Sequence, residues 1–286
     1  MECLLSCLRC ASCHEHTESN EDEVMLLQPH AGSQTVVLSG GRSMQLFAMS
    51  VAPFDSTSDN TGATIWPSST LLFGLLLGYG DRKLREISVL DLGCGTGIAG
   101  LAAAVLCRPC RVVLSDREPK ARALARRNAA LQQDPGGRCT AVVIDVCSYG
   151  WLAGDPCPAD CGGFGLILAS DCLYAEMDAM SSYEKWGARY KDGQSLARFV
   201  ALLEWCLAPG GTVLISLPAR DCLDQARAQT ALDNGKFRFE VLTAEQCLSS
   251  GCYALQANLA CRDSVVLRCS RKQEVSCLHP GVLEPQ

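Results

Sequence analysis

The sequence predicts an α/β protein, a doubly wound and mostly parallel sheet of seven strands with a small β-hairpin extension at its N-terminal side. Three observations predict it. From Ile87 onward the short β-branched or Leu-rich runs ISVLD, RVVLSD, AVVID and LILASD alternate with loops and helix-compatible segments, the pattern of a parallel sheet covered on both faces. Three more strand runs, TVLISLP, FRFEVLT and SVVLRCS, complete the set. Each of the first four runs closes on an aspartate: Asp91, Asp116, Asp145 and Asp171. Right-handed crossovers bring equivalent strand ends to one edge, and open α/β sheets bind ligands at that edge.

Taken in order, residues 1–33 start with thiols and pass into a polar, acidic stretch of no sustained period, expected to be a leader outside the fold. QTVVLS and MQLFAMSV flank Gly40-Gly41 and predict the hairpin. A polar loop then leads into ATIWPSSTLLFGLLLGYG, where Pro67 suits a first helical turn. PKARALARRNAALQQ and LARFVALLEWCLAPGG have helical apolar spacing, the latter stopped by Pro and two glycines. One domain, 34–271, results, with 272–286 as a C-terminal tail.

A chain of 286 residues suffices for one large α/β domain. With 48% hydrophobic and 20% charged residues it has the composition of a soluble globular protein. A net charge of -6 and a pI near 5.3 argue against a protein that works by neutralising phosphates, so no nucleic-acid partner is expected. The 19 cysteines lie in apolar runs as well as loops. That is not the spacing of a small secreted disulfide scaffold, and it implies a reducing, cytoplasmic setting. No run reaches the roughly 18 apolar residues that a membrane span needs. MECLLSCLRC carries Glu2 and too short an apolar stretch for a secretory signal.

The ligand class is written in VLDLGCGTGIAG. Gly93, Gly95 and Gly97 lie between a strand and a helix, where glycine lets backbone approach a ligand closely. The dinucleotide fingerprint would need a glycine at Ile98, and no Gly-Lys-Ser/Thr of a P-loop is present. Asp116, at the next strand end, can accept both hydroxyls of a ribose, and Asp145, at the third, an adenine amino group. For any single aspartate the plain alternative is a solvated strand end; four in succession weaken it.

With these residues in view, the chain resembles the seven-strand methyltransferases that use S-adenosylmethionine, and more narrowly the family-16 protein-lysine methyltransferases, over roughly residues 34–271. The resemblance rests on TGATIWPSSTLL, VLDLGCGTGIAGLAAA and FGLILASDCLYAE, the last carrying an Asp-x-x-Tyr signature. It implies a Rossmann-like class I fold in which Asp91 binds the cofactor and the loop Gly93, Cys94, Gly95 and Gly97 faces its methionine moiety. By the same resemblance Asp116 faces the ribose, Asp145 the adenine edge, Trp66 lies beside the cofactor, and Ser170 forms its wall next to the catalytic pair Asp171 and Tyr174. Two departures stand out: Val146 and Cys147 occupy the place of a Trp common in relatives, with Trp151 the nearest indole, and the segment between Tyr174 and Leu196 is longer than usual.

The implied reaction is methyl transfer to a lysine amine of a protein such as a chaperone or translation factor, by a monomer. Asp171 is expected to capture and orient the ammonium, with proton acceptance as a second role. Tyr174 could offer its ring face or its hydroxyl; the plain alternatives are a packed aromatic there and a core indole at Trp66. A small-molecule or histidine acceptor, and a catalytically silent scaffold of the same fold, stay open. No metal is expected. Cys7, Cys10, Cys13, His14 and His16 lack a second ligand half for zinc. S-acylation of Cys3, Cys7 or Cys10, tethering the chain to a membrane, and plain disorder are the other readings of the leader. Cys107 and Cys110 are expected to be packing thiols.

Overall fold

The computed structural model describes residues 32–37, 43–48, 50–51, 61–66, 68–69, 71–72, 75–76, 85–133, 142–150, 163–173, 195–218, 222–234, 236–248 and 264–272. Outside them lie the leader cysteines, Gly40-Gly41, Pro67, Trp151, Tyr174, most of the long segment before Leu196 and nearly all of the tail. The hairpin forms as expected: β1 (Gly32–Val37) pairs antiparallel with β2 (Ser43–Ala48). A parallel pair of β3 (Ser50–Val51) and β4 (Thr64–Ile65) follows, β4 being preceded by one short 3-10 turn, Thr61–Ala63.

The main sheet consists of β5 (Ser88–Leu92), β6 (Arg111–Ser115), β7 (Val143–Cys147), β8 (Phe164–Ser170), β9 (Leu207–Leu217), β10 (Phe237–Thr243) and β11 (Val265–Arg271). Its order is β10-β11-β9-β8-β5-β6-β7. All pairings are parallel except those of β11, which runs antiparallel to both neighbours. This seven-stranded order is the class I methyltransferase fold. Helices α1 (Ile98–Cys107), α2 (Pro119–Gln133), α3 (Ser195–Cys206), α4 (Cys222–Asn234) and the short α5 (Ala244–Leu248) flank it.

Two apolar clusters cover the two faces. One joins α1, the helical residues Leu71, Leu72, Leu75 and Leu76, and Ala125 and Ala129 of α2; the other joins Phe199, Leu203 and Cys206 of α3 to Leu232 of α4. All ten residues of α1 are buried, which explains why its sequence shows no polar stripe. Met44 of the hairpin is buried in the first cluster, and β2 lies against α2.

Several boundaries differ from expectation: β1 begins at Gly32, inside the stretch expected to be a leader, and β5 continues past Asp91 to Leu92. β7 runs to Cys147, two residues past Asp145, because Asp145 pairs in register with Val113 in the middle of β6. β9 begins at Leu207, so Pro209, Gly210 and Gly211 belong to a strand with an irregular register rather than to a loop. Gly210 allows this, at φ 75.

Candidate functional site

The glycine loop joins β5 to α1, and each of its three glycines has positive φ: 70 at Gly93, 53 at Gly95 and 80 at Gly97. The loop is tied on several sides. The Cys94 amide donates to the Ser115 carbonyl at 2.8 Å, carrying the β5·β6 pairing beyond the strand, and the Gly97 amide donates to the Cys94 carbonyl at 2.8 Å. Gly97 begins α1 with no side-chain cap; the Asp91 carboxylate takes that place at the Gly100 amide of the first turn.

Asp91 lies beneath this loop rather than at its mouth. Its Oδ2 accepts from the Gly100 amide at 2.8 Å, and the residue is buried. Burial pushes its carboxyl up to about 7, opposed by the Gly100 amide and reinforced by Asp116. A carboxyl raised in the native state binds more protons there than in the unfolded chain, so stability falls as pH rises between the two values. Asp91→Asn should therefore unfold at higher urea than the parent at pH 8, and the difference should vanish near pH 4. Parallel urea midpoints across that range measure it, and a constant difference would contradict the assignment.

Asp116 follows β6 directly and is 9% exposed. Its Oδ2 accepts from the Gly95 amide at 2.9 Å and its Oδ1 from the Glu118 amide at 2.8 Å. Desolvation raises its pKa, while those two amides hold it down. Each oxygen keeps a lone pair for a ribose hydroxyl. Asp145, by contrast, does not join the rim: its carboxylate meets Arg111 Nε at 2.6 Å, along the flank of the sheet. The two side chains share one face because Arg111 stands two residues before Asp145's register partner Val113. The expected rim of four acids is thus one of two, Asp116 and Asp171, with Asp91 below.

Asp171 takes the left-handed conformation, φ 48, immediately after β8, and only 3% of it is exposed. Asp is among the few residues that tolerate this backbone. The Asp171 amide donates to the Ser216 carbonyl of β9 at 3.0 Å. Because Leu168 pairs with Asp91, continuing that register brings Asp171 level with Cys94 in the glycine loop. Burial, and after it the charges of Asp171, Asp91 and Asp116, push the Cys172 thiol up. Ser170, the last residue of β8, accepts a 3.0 Å hydrogen bond at Oγ from Ser216 Oγ. Trp66 is half-buried just after β4, and its carbonyl accepts from Ser69 through both amide (3.1 Å) and Oγ (2.6 Å).

Sequence reasoning missed Asn128. Fully buried on α2, it donates from Nδ2 to the Thr96 carbonyl at 2.8 Å and so holds the loop from the helix side. In RRNAALQ it looks like any polar residue of a helix; a helical position facing the core by spacing was the available signal. Asn128→Ala should cost about 1–3 kcal/mol in unfolding free energy, read from urea titration, and unaltered stability would show that the tether is idle.

These residues fit S-adenosylmethionine. Asp116 supplies acceptors at the side of the loop, and the Thr96 hydroxyl is buried without a hydrogen-bond partner among the described residues. Comparison with known proteins agrees. The family model described as lysine methyltransferase matches residues 50–186. The protein N-lysine methyltransferase METTL21A of Danio rerio is 35% identical over 115 residues, 40% of this chain and 49% of that protein. Its Mus musculus counterpart is 32% identical over 114 residues, again 40% and 49%. The chain therefore spans about half the length of the curated relatives it matches. Among solved structures, a predicted O-methyltransferase of Agrobacterium tumefaciens aligns at TM-score 0.46 and 14% identity, covering 70% of this chain and 81% of that one; the strand order alone carries the fold assignment. Within the matched residues 50–186 lie the glycine loop, Asp116 and Asp171, and the Asp-x-x-Tyr signature ends at Tyr174, outside the described residues.

Proposed function

We propose that the chain transfers a methyl group from S-adenosylmethionine to the side-chain amine of a lysine in a protein substrate. One observation carries this reading: a buried aspartate in left-handed conformation stands beside a glycine loop within a segment of lysine methyltransferase type. When bound, S-adenosylmethionine supplies the electrophilic methyl group and a sulfonium charge. Asp116 and the loop Gly93, Cys94, Gly95 and Gly97 would hold it, Ser170 lining the wall and Trp66 the side.

A lysine with a reference pKa of about 10.4 is neutral in only about one molecule in a thousand at pH ~7.4, a cost of roughly 4 kcal/mol. Asp171 favours the ammonium, so it serves to capture and orient the side chain, and most of the rate gain comes from alignment. Tyr174, three residues on, completes the acceptor side in this reading. The substrate is an abundant protein such as a chaperone or translation factor, and the chain works as a monomer in the cytoplasm. Eight cysteines among the described residues are free thiols.

Incubation of the purified protein with radiolabelled S-adenosylmethionine and a cell lysate tests the reading. A labelled protein that yields methyl-lysine on hydrolysis is expected. Label confined to small molecules, or to histidine, would transfer the acceptor to the other class, and no label at all would leave a scaffold.

A further inference from the structure

The glycine loop is enclosed by something other than the sheet. The 3-10 turn Thr61–Ala63 lies against it: a Cβ built on Gly95 would come within 3.1 Å of the Gly62 carbonyl oxygen, and no other atom approaches it as closely. Gly62 is in turn pressed on α2, where a Cβ on Gly62 would stand 2.8 Å from Ala121 Cβ. The backbone of Gly62 has no positive φ, so glycine is required there for space and not for conformation. Helix α2 also reaches the loop directly through Asn128 and the Thr96 carbonyl. Loop, turn and helix therefore form a closed triangle with Gly62 as the wedge.

We infer that Gly62 is a positioning residue for the cofactor, setting the standoff of the Gly95 peptide through contact of its own carbonyl and its close seat on Ala121. The N-terminal extension then completes the cofactor cradle, because the turn is carried by β4 and its pairing with β3. This rests on the S-adenosylmethionine reading above. A methyl group at position 62 has to displace either Ala121 or the glycine loop, and interiors this close-packed transmit such a shift. Ala121, Leu124, Ala125 and Asn128 of the helix are all buried, so the short turn is pressed away from them and against the Gly95 peptide that it touches. The loop gives way.

The test is a complementation. Binding of S-adenosylhomocysteine, the demethylated product, is measured by calorimetry for the parent, Gly62→Ala, Ala121→Gly and the double variant, with amide hydrogen exchange across residues 93–97 followed in the unliganded proteins. Gly62→Ala should lose about tenfold or more in affinity and exchange faster in the loop, the usual consequence of overpacking a pre-organised site. Ala121→Gly alone should bind nearly as the parent does. The double variant, with the clashing methyl removed, should recover both affinity and protection. If Gly62→Ala does not fold, a double variant that folds and binds is the same rescue, and one that folds without binding overturns the inference. Unchanged affinity and exchange in Gly62→Ala overturn it as well. A parent protein that fails to bind the product cofactor refutes the underlying cofactor reading instead, which separates the two failures.

Discussion

Asp171→Asn should reduce methyl transfer by about a thousandfold or more, the scale on which alignment of reacting groups contributes, while affinity for S-adenosylhomocysteine stays within several fold. Asparagine is the informative replacement because it tolerates the left-handed backbone that Asp171 occupies at φ 48. It removes the charge and keeps the conformation. Asp171→Ala removes both and should add a stability loss of roughly 1–2 kcal/mol from the left-handed backbone. Comparing the two variants by single-turnover methyl transfer and urea unfolding therefore separates chemistry from strain. Should Asp171→Asn transfer methyl groups at the parental rate, capture of the ammonium by this carboxylate would be ruled out; should it lose cofactor binding, the division of labour between Asp171 and Asp116 would be wrong.

Asp116→Ala is expected to show the opposite profile. Its carboxylate accepts from the Gly95 and Glu118 amides and has lone pairs left for a ribose. Hydrogen bonds to a charged group contribute about 1.5–3 kcal/mol each, so loss of one ribose contact together with the loop tether should weaken cofactor binding by about a hundredfold. At saturating cofactor the transfer step should change far less. Calorimetric titration gives the first quantity and single-turnover rates give the second. Affinity equal to the parent's would leave Asp116 as a loop anchor alone.

Much of this site is legible because its chemistry is punctuation at strand ends. Asp116 and Asp171 follow β6 and β8 directly, as the repeated run-then-aspartate pattern requires. Asp145 obeys the same pattern and belongs elsewhere. What separates it is register: β7 continues to Cys147 and sets Asp145 on the flank with Arg111, a partner in the neighbouring strand that no reading of the run AVVID reveals. Asp91 sits at a strand end in sequence but points under the loop, because β5 continues to Leu92 and the first turn of α1 offers the Gly100 amide.

The remaining parts of the site come from segments distant along the chain. Asn128 lies in the second half of α2, where its core-facing spacing signals burial but names no partner, and only the crossing of that helix over the loop gives it the Thr96 carbonyl. Gly62 reads as an ordinary loop glycine until its neighbours, Gly95 and Ala121, are known.

The sequence by itself determined the periodicity of strands and helices, the spacing of glycines that keeps backbone open to a ligand, and the strand-end positions of two carboxylates, since these depend on residues adjacent along the chain. Tertiary structure alone decided which acid meets a cation, which amides the others bind, and what presses on the glycine loop. The physical reason is that register between strands and the crossing of helix over loop are fixed by packing across the whole sheet, and no local pattern encodes them.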